Sequence, residues 1–510
     1  MVMAQATSAV HWFRKGLRLH DNPALLDALR SAQHVWPVYC WDARLVTPQA
    51  VGVNRVQFLL QCLDDLDRRL RERQSRLTVL RGDALEVLPR FMRERQVSLL
   101  TFEGDVEPEG RARDERMLRK CHQMGVQVHS FATHLLYDPD RVIRELGADE
   151  LPLSYGPFVA RVTEALGAPA LPLAAPPETQ SFGTPDTDPQ AYAVPRLEEL
   201  EAYRGMTATT PLKGGETTAL AVLGAFLSER RDEARQFSKP HTSPTAFEPA
   251  STTQLSPHMA LGCLSARLFY YRVQELHPLR RPPVSLIGQL WWREFFTTVA
   301  YATPGFHSMK ENRLCRQIPW SADAEEQYRA WEGGRTGHPF IDACMVQLRK
   351  HGWLHHLARH AVACFLSRGD LWVSWERGRD TFDRLLVDRD YALNNANWMW
   401  LSCSAFFHQY FRVYSPIKFP QRFDKEGTFV RHFLPVLRNM PAKYVYEPWK
   451  APLSVQREAG CVVGRDYPYP IVDHEVVSKE NLAKMSEVFS RERRPMEKFA
   501  KKRPRPECVE

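Results

Sequence analysis

The sequence predicts an α/β doubly wound parallel-sheet domain followed by an all-α domain. In the first part of the chain, short apolar runs alternate with amphipathic helical stretches, which is the pattern of a parallel sheet covered by helices. Later, helical periodicity dominates to about Phe489 without strand-like alternation. We therefore expect domains at 8–134 and 213–489, an interdomain linker at 135–212, and a basic tail at 490–510 that does not pack.

Five apolar runs in the first domain are the predicted buried strands: Val10–Phe13, Val35–Trp41, Leu77–Leu80, Leu99–Phe102 and Val126–Phe131. Between the second and third runs, Asn54–Arg73 places Phe58, Cys62 and Leu66 on one face of a predicted helix. The first strand is followed by FRKGLRLHDNPAL and not by G-x-G-x-x-G, so a Rossmann dinucleotide site is not supported here.

The linker and the second domain follow from a change of pattern. Prolines crowd between Pro169 and Pro195 together with Gly, Ser and Thr, which predicts a long surface segment. Helical periodicity resumes at Glu216–Gln236. The tail carries the basic run KKRPRP, which resembles a nuclear-import signal, although such runs are often only solvated.

The composition is that of a globular protein whose 510 residues can form two or three cores, with 44% hydrophobic and 25% charged residues. No apolar run approaches the roughly 20 residues of a membrane span, and no signal peptide is expected. Ten scattered cysteines without C-x-x-C predict reduced thiols in an intracellular protein. The net charge of +8 favours a polyanionic partner without establishing one, and 13 tryptophans suit stacking, a buried aromatic cofactor or electron transfer.

Polar residues that are costly to bury concentrate between Gly352 and Trp400. Two helices are predicted there, at Leu354–Phe365 and Phe382–Val387, and His356 and His360 stand four residues apart on one face of the first. A single core histidine is usually just hydrogen-bonded, and His-x-x-x-His is also a zinc spacing. However, no Glu follows His356 and no third ligand is evident, so a metal site is the weaker interpretation.

Long motifs across nearly the whole chain resemble the photolyase/cryptochrome flavoprotein family, and within it the animal-type (6-4) photolyases. They are HWFRKGLRLHDNPAL, SPHMALGCLSAR, GQLWWREFF, GWLHHLARHAVACFLSRGDLW, FFHQYFRVYSP and GRDYPYPIVDH. The resemblance implies a helical domain that holds FAD in a folded conformation.

The resemblance also implies which residues hold the cofactor. The pyrophosphate cradle would be formed by Lys239, Thr252, Thr253, Gln254, Leu255 and Ser256. The ion pair flanking the isoalloxazine would be Arg359 with Asp388, and Asp390 would lie near its polar edge. Asn394 takes the position facing flavin N5, where a neutral amide can favour the fully reduced flavin. The remaining members of the expected cofactor set are Gln289 and Arg293.

Four tryptophans match the family's electron-transfer chain, in the order Trp398, Trp375, Trp320 and Trp372 from the flavin outward to the surface. Trp372 and Trp375 stand three apart, which predicts adjacent positions on one helix. The alternative is core packing. Because such chains also occur in signalling cryptochromes, they do not separate repair from signalling.

The lesion pocket discriminates better. Gln289, His356 and His360 stand where photolyases of cyclobutane dimers generally have Glu, Asn and Met. A (6-4) lesion needs proton donation as well as an electron, and a His pair with pKa near neutrality can supply it. The resemblance therefore implies His356 as general acid and His360 as its tuning partner.

Duplex binding is implied by further matches. Trp292 and Tyr414 resemble the walls of a pocket for a flipped-out lesion, and Arg412 resembles a wedge that fills the gap. Phosphate contacts are expected from four basic residues whose alternative is plain surface charge: Lys418, Arg422, Lys425 and Arg431.

The leading hypothesis is thus light-driven repair of UV-damaged double-stranded DNA by a monomeric nuclear (or also cytoplasmic) enzyme. The alternatives are a cryptochrome photoreceptor with clock or transcription-factor partners, a protein with both roles, and a flavin-binding redox protein. The first domain could also hold a deazaflavin or folate antenna. Where the family commonly has Gly, this chain has Glu311, which puts the turn before Trp320 in question.

Overall fold

Five parallel strands in the order β3-β2-β1-β4-β5 form the sheet of the first domain in a computed structural model that describes residues 6–184 and 190–491. In that part of the chain the strands are β1 (Ala6–Phe13), β2 (Ala32–Trp41), β3 (Thr78–Arg81), β4 (Leu99–Glu103) and β5 (Gln127–Phe131). All five predicted strands are confirmed, because each apolar run is short and bounded by helical sequence; four of them are largely buried, whereas the edge strand β5 is partly exposed.

The helices of the first domain and the linker are α1 (Pro23–Ser31), α2 (Val53–Arg71), α3 (Ala84–Glu94), α4 (Pro108–Met124), α5 (Pro139–Leu146) and α6 (Tyr155–Leu166). Alternate residues of β1 enter opposite cores. Phe13 packs with residues of α2 such as Phe58, whereas Trp12 packs with α3 and α4. Helices thus cover both faces of the sheet, as the sequence predicts.

The helical domain contains α7 (Glu216–Ser228), α8 (Arg231–Gln236), α9 (Ser256–Ala260), α10 (Ala266–Gln274), α11 (Leu286–Ala302), α12 (Glu325–Gly333), α13 (Pro339–His351), α14 (His356–Cys364), α15 (Trp375–Leu385), α16 (Tyr391–Leu401), α17 (Lys418–Gln421), α18 (Thr428–Phe433), α19 (Leu453–Glu458) and α20 (His474–Arg491). The described part of this domain has two isolated β-bridges and no strand. Among the described residues, no helix has the length and apolar character needed to cross a bilayer.

The linker differs from the featureless segment that its sequence suggests. It contains α5 and α6, and both helices pack against α11 of the helical domain. Phe158 of α6, for example, is 1% exposed and contacts Phe295 at a ring-centroid distance of 5.3 Å. The apolar face was hidden in the sequence because each helix is short and flanked by Gly and Pro. Residues 185–189 and the predicted basic tail from 492 lie outside the described residues.

The elements around the His pair also differ in their limits. Helix α14 begins at His356 and gives way at Phe365 to a π-turn, Phe365–Gly369, with non-helical backbone at Ser367. The second predicted helix, Phe382–Val387, is the end of the longer α15. Its first two turns are rich in charged residues, which masked the apolar periodicity.

The loop containing Glu311 is built without strain at that residue. The left-handed backbone in this loop is at Gly305, with φ of +62°, and Glu311 is not among the residues with positive φ. The Glu311 side chain instead packs over Gly305. The concern raised by the sequence about this turn is therefore removed.

Candidate functional site

A cavity of about 630 Å³ lies in the helical domain, between the segment 237–260 and helices α11, α14 and α16. It brings together 17 of the residues predicted from the sequence, which are distant along the chain. They are Lys239, Thr252, Thr253, Gln254, Leu255, Ser256, Gln289, Trp292, Arg293, His356, Arg359, His360, Asp388, Asp390, Asn394, Trp398 and Tyr414.

One wall of the cavity carries a partly buried ion pair. Arg359 Nη2 donates to Asp388 Oδ2 at 2.7 Å, and Arg359 Nε donates to the carbonyl of Leu354 at 2.9 Å. Ser256 Oγ donates to the same carboxylate oxygen at 2.7 Å, and the indole of Trp353 donates to Ser256 Oγ at 3.3 Å. The carboxylate is therefore held rigidly at the cavity surface.

Several polar groups in this wall have unused bonding capacity. Asp388 Oδ1 and Thr252 Oγ1 are buried and have no hydrogen-bond partner among the described residues. Lys239 has no carboxylate within 4.0 Å in the described part of the chain, and burial, followed by the charge of Arg359, lowers its pKa to about 8. Unpaired buried groups are costly. The cavity therefore suits a ligand that brings hydrogen-bond donors to Asp388 and an anionic group to Lys239.

The side-chain oxygen of Asn394 is its one hydrogen-bonding atom left available to the cavity. Its amide nitrogen donates to the carbonyl of Arg379 at 3.0 Å and to Asp383 Oδ1 at 2.8 Å, neither of which lines the cavity. This orientation leaves Oδ1 as an acceptor on the cavity side. The neighbouring Asp390 caps α16 by accepting from the backbone N–H of Leu393 at 3.0 Å.

Arg293 is tied mainly to the first domain. Its guanidinium donates to the carbonyl of His134 at 2.6 Å and lies 2.6 Å from His134 Nε2, while its Nε is 4.0 Å from Asp390 Oδ2. Arg293 thus lines the cavity and connects it to the segment that follows β5.

His356 and His360 face each other across one turn of α14, with ring centroids 5.8 Å apart and planes at 88°. His360 Nδ1 lies 3.3 Å from the hydroxyl of Tyr414. Just before them, His355 Nδ1 accepts from the backbone N–H of Leu357 at 3.2 Å and caps the helix. The proton of His355 is therefore on Nε2, which is 2.9 Å from Thr242 Oγ1.

The expectation of near-neutral pKa values for the His pair is wrong for the protein alone. Burial, reinforced by the charge of Lys239, lowers the pKa of His356 well below its usual range. The same causes lower the pKa of His360 to about 3. Desolvation disfavours the charged ring, and the nearby cations add to the effect. Both rings are neutral at pH 7 until a negative charge comes close to them.

The remaining predicted pocket residues form the rim of the cavity. Gln289 donates its amide to the carbonyl of Pro283 at 3.0 Å. Trp292 packs within an aromatic group, with Tyr155 at 4.4 Å and Trp400, edge to face, at 5.5 Å between ring centroids. Burial raises the pKa of Tyr414 to about 12, so its hydroxyl keeps its proton and can donate.

The four predicted tryptophans lie partly in and partly behind the cavity wall. Trp398 lines the cavity and is 2% exposed. Trp375 is the first residue of α15, which packs against α16, and Trp320 and Trp372 contact each other at 5.0 Å between centroids. The prediction that Trp372 and Trp375 share a helix is wrong. Trp372 lies in the turn before α15 with φ of +55°.

Arg412, Lys418, Arg422 and Lys425 are exposed and lie outside the cavity wall. None of the four has a carboxylate within 4.0 Å in the described part of the chain. Arg431 differs, because its guanidinium donates to the carbonyls of Glu426 at 2.9 Å and Leu437 at 3.5 Å. Arg412, the predicted wedge, and three of the four predicted phosphate contacts are thus without an ionic partner among the described residues, whereas Arg431 stabilises its own loop.

Three residues at or next to the cavity were not assigned from the sequence, although two of them adjoin predicted ones. Trp353 lines the cavity near the His pair, His355 contacts His356, and Trp400 lines the cavity next to Trp292. The signal for Trp353 was its place directly before the polar cluster. Its bond to Ser256 could not be predicted, since the two are 97 residues apart. Among the described residues, no group of three or more His, Cys, Asp or Glu could hold a metal ion.

Comparisons with known proteins place this geometry in context. Residues 9–178 match the family model described as DNA photolyase, and residues 286–487 match the model described as FAD binding domain of DNA photolyase. The chain is 46% identical over 514 residues to a (6-4)DNA photolyase of Oryza sativa subsp. japonica, covering 96% of this chain and 91% of that protein. It is also 46% identical over 490 residues to Cryptochrome-1 of Gallus gallus, covering 94% and 78% respectively.

Solved structures show the same fold. A class III photolyase of Agrobacterium tumefaciens has a TM-score of 0.81 at 30% identity, with 96% of this chain and 99% of that chain covered. An archaeal photolyase from Sulfolobus tokodaii, described with two FAD molecules, has a TM-score of 0.74 at 27% identity, with coverages of 94% and 100%.

Proposed function

The chain belongs to the photolyase/cryptochrome family, and from this premise we propose that it is a blue-light-driven (6-4) photolyase, which restores linked pyrimidines in UV-damaged DNA. One observation carries the proposal. His356, His360 and Gln289 line the same cavity as Asn394 and the Arg359–Asp388 ion pair. Groups suited to proton transfer thus share one space with groups suited to hold a flavin.

The polar wall fits FAD. Lys239 and the unpartnered hydroxyl of Thr252 would hold the pyrophosphate, while Arg359, Asp388 and Asn394 would flank the isoalloxazine. FAD, when bound, would absorb blue light and supply one electron to a base in the cavity. Asp388 Oδ1 would gain the donor that it lacks.

His356 is the proposed proton donor, and His360 holds it in place. Burial keeps both rings neutral, so a donor role requires that the substrate raise the pKa of His356. A base that has gained an electron carries the negative charge that does this, because an opposite charge within a few ångströms favours the protonated ring. The contact of His360 with Tyr414 fixes the second ring.

Engagement of a duplex follows from the rim of the cavity. Trp292 and Tyr414 would contact an extruded lesion, at an extrusion cost of a few kcal/mol. Arg412 would enter the gap that the lesion leaves, and the exposed, unpaired Lys418 and Arg422 would bind phosphates. These contacts are compatible with a monomer acting on DNA in the nucleus.

A second candidate is a cryptochrome photoreceptor or transcription regulator with clock partners, alone or in addition to repair. The observation that favours it is the equal identity, 46%, to Cryptochrome-1 of Gallus gallus and to the rice photolyase. We also extend the proposal to an antenna chromophore of deazaflavin or folate type on the first domain. Acid release of the chromophores and their absorption spectra test this extension.

The deciding experiment is repair of an oligonucleotide with one (6-4) lesion by the reduced protein under blue light. We expect the wild type to repair the lesion and so restore the two bases. The repair rate of His356→Ala should be at least about 100-fold lower, which is the usual effect of removing a general acid. His122→Ala, at an exposed position on α4, is the matched control and should repair like the wild type.

The FAD content of each variant is measured first, so that a loss of repair can be distinguished from a loss of bound cofactor. Absence of repair by a wild type that binds FAD and is reduced by light would overturn the photolyase proposal and leave the cryptochrome candidate. Full repair by His356→Ala would instead reject the proposed donor while retaining the enzyme.

A further inference from the structure

Trp372, the last tryptophan of the predicted chain, is covered by α20 and does not lie open at the surface. It is 7% exposed and packs in one cluster with Met485, Val488 and Trp320. Its indole nitrogen donates to the carbonyl of Pro319 at 2.9 Å. Any reaction of this ring therefore takes place against the side chains of α20.

One of these side chains places a positive charge on the ring. The Lys484 ammonium lies 4.9 Å from the centroid of Trp372. Within residues 6–184 and 190–491, no carboxylate lies within 4.0 Å of this ammonium, and no cation is found over the ring of Trp320. The two rings are 5.0 Å apart but differ in their electrostatic surroundings.

The ammonium is anchored at this position. Lys484 donates to Asn481 Oδ1 at 3.0 Å, and the buried Asn481 donates to the carbonyl of Asp370 at 3.0 Å. At the start of the helix, His474 Nδ1 lies 2.6 Å from Asp370 Oδ1. Helix α20 is thus fastened at two points to Asp370, two residues before Trp372.

We propose that Lys484 tunes the outer end of the electron-transfer chain, disfavouring oxidation of Trp372 and keeping the electron hole on Trp320. The physical reason is that the interaction between the ammonium and the indole changes from attraction to repulsion when the indole is oxidised. A cation is attracted to the face of a neutral indole but repelled by an indole that has lost an electron. The inference rests on the light-driven electron transfer of the proposed function and is independent of DNA repair.

The step at issue transfers one electron from Trp372 to oxidised Trp320. Trp320 returns to its neutral form and Trp372 becomes a radical cation, while no covalent bond changes and no proton moves. The electron first lost by Trp398 goes to a light-excited flavin. Without the charge of Lys484, this step becomes more favourable, the hole lies farther from the flavin, and its recombination is slower.

The test uses the full chain loaded with oxidised FAD, without DNA, and follows the absorption of oxidised tryptophan after a laser flash. Lys484→Met keeps the apolar stem and removes the charge, and Lys484→Arg keeps the charge. Lys479→Met removes an exposed charge from the same helix and is the matched control. We expect about a threefold longer lifetime in Lys484→Met, the scale of an exposed cation–π contact, and wild-type lifetimes in the other two.

A second measurement separates charge from packing. Because Lys484 is exposed, high salt should lengthen the wild-type lifetime and leave Lys484→Met unchanged. An unchanged lifetime in Lys484→Met, an equal change in Lys479→Met, or no oxidised tryptophan in the wild type would each overturn the inference. Failure of repair alone would not affect it, since no lesion enters the experiment.

Discussion

At Gly378 the backbone of α15 touches the ring of Trp398. A Cβ atom at this position would lie 2.1 Å from Trp398 Cη2 and 2.6 Å from Leu366 Cδ2. Trp398 is itself enclosed by Phe382 at 5.1 Å and Trp331 at 6.1 Å between centroids. The absence of a side chain at Gly378 therefore determines the position of the Trp398 ring.

Gly378→Ala should destabilise the protein by about 1–3 kcal/mol, because the added methyl group displaces a fully packed ring. It should also slow photoreduction of bound flavin, since the tryptophan next to the cavity moves. Gly224→Ala is the matched control. Gly224 lies in α7 with nothing within 4 Å of its added Cβ, so this change should stabilise by about 0.5–1 kcal/mol.

Urea unfolding and the rate of flavin reduction under blue light measure both effects. A Gly378→Ala protein as stable and as quickly photoreduced as the wild type would mean that the ring of Trp398 has room to move.

At the scale of elements, the π-turn after α14 supports the loop that carries the predicted DNA contacts. Arg368 in this turn is 2% exposed. Its guanidinium donates to the carbonyls of Leu401 at 2.8 Å, Tyr410 at 2.6 Å and Arg412 at 2.7 Å. The turn thereby fixes the backbone on both sides of the loop, with Tyr414 only two residues farther on.

Arg368→Met should loosen the loop 402–414, because three carbonyls lose a charged donor. We expect at least about 3 kcal/mol of destabilisation, since hydrogen bonds to charged groups contribute about 1.5–3 kcal/mol each. Hydrogen exchange should accelerate at amides 405–414 before it does in α11. Arg329→Met is the control, at a side chain that is 72% exposed and pairs with Glu325, with less than about 0.5 kcal/mol expected. Equal exchange in both variants would contradict this role.

At the scale of the whole molecule, buried polar contacts join the two domains. Glu216 at the start of α7 accepts from the backbone N–H groups of Leu19 at 2.8 Å and His20 at 3.0 Å. Burial opposes ionisation of Glu216, yet hydrogen bonding to His20 lowers its pKa to about 2. Asp21 pairs with Arg267 at 2.6 Å. The stretch after β1 therefore joins the two domains.

The stability of the ligand-free protein should rise with pH between about 4.5 and 6.5. Eight histidines have a folded pKa below the unfolded value, so the unfolded chain binds more protons in this interval, which makes the free energy of unfolding increase with pH. They are His11, His134, His258, His338, His351, His355, His356 and His360.

Four carboxyls act in the opposite direction, because burial raises the pKa of Asp64, that of Asp342 and Asp370 to about 6, and that of Glu294 to about 7. The histidines outnumber them, so the urea midpoint should increase over the interval. Glu294→Gln removes one opposing group and should steepen the increase. A midpoint that is flat or falls from pH 4.5 to 6.5 would contradict the prediction.

The sequence by itself determined the two-domain architecture and 17 of the residues that line the cavity. The apolar periods of the strands and of Asn54–Arg73 are local, and a local pattern can be read without knowing what it packs against. The cavity residues were found because long motifs resemble those of a family whose site is known. The helices of the linker were not predicted, because their short apolar faces can be recognised only from their packing against α11.

Only the tertiary structure decided three features: the protonation of the His pair, the covering of Trp372 by α20, and the hydrogen bonds of Arg431 to carbonyls of its own loop. Each depends on atoms that are far apart in sequence, such as Lys239 near His356 or Lys484 near Trp372. Burial and electrostatic fields are sums over all neighbours in space, and the order of residues along the chain does not state which neighbours those are.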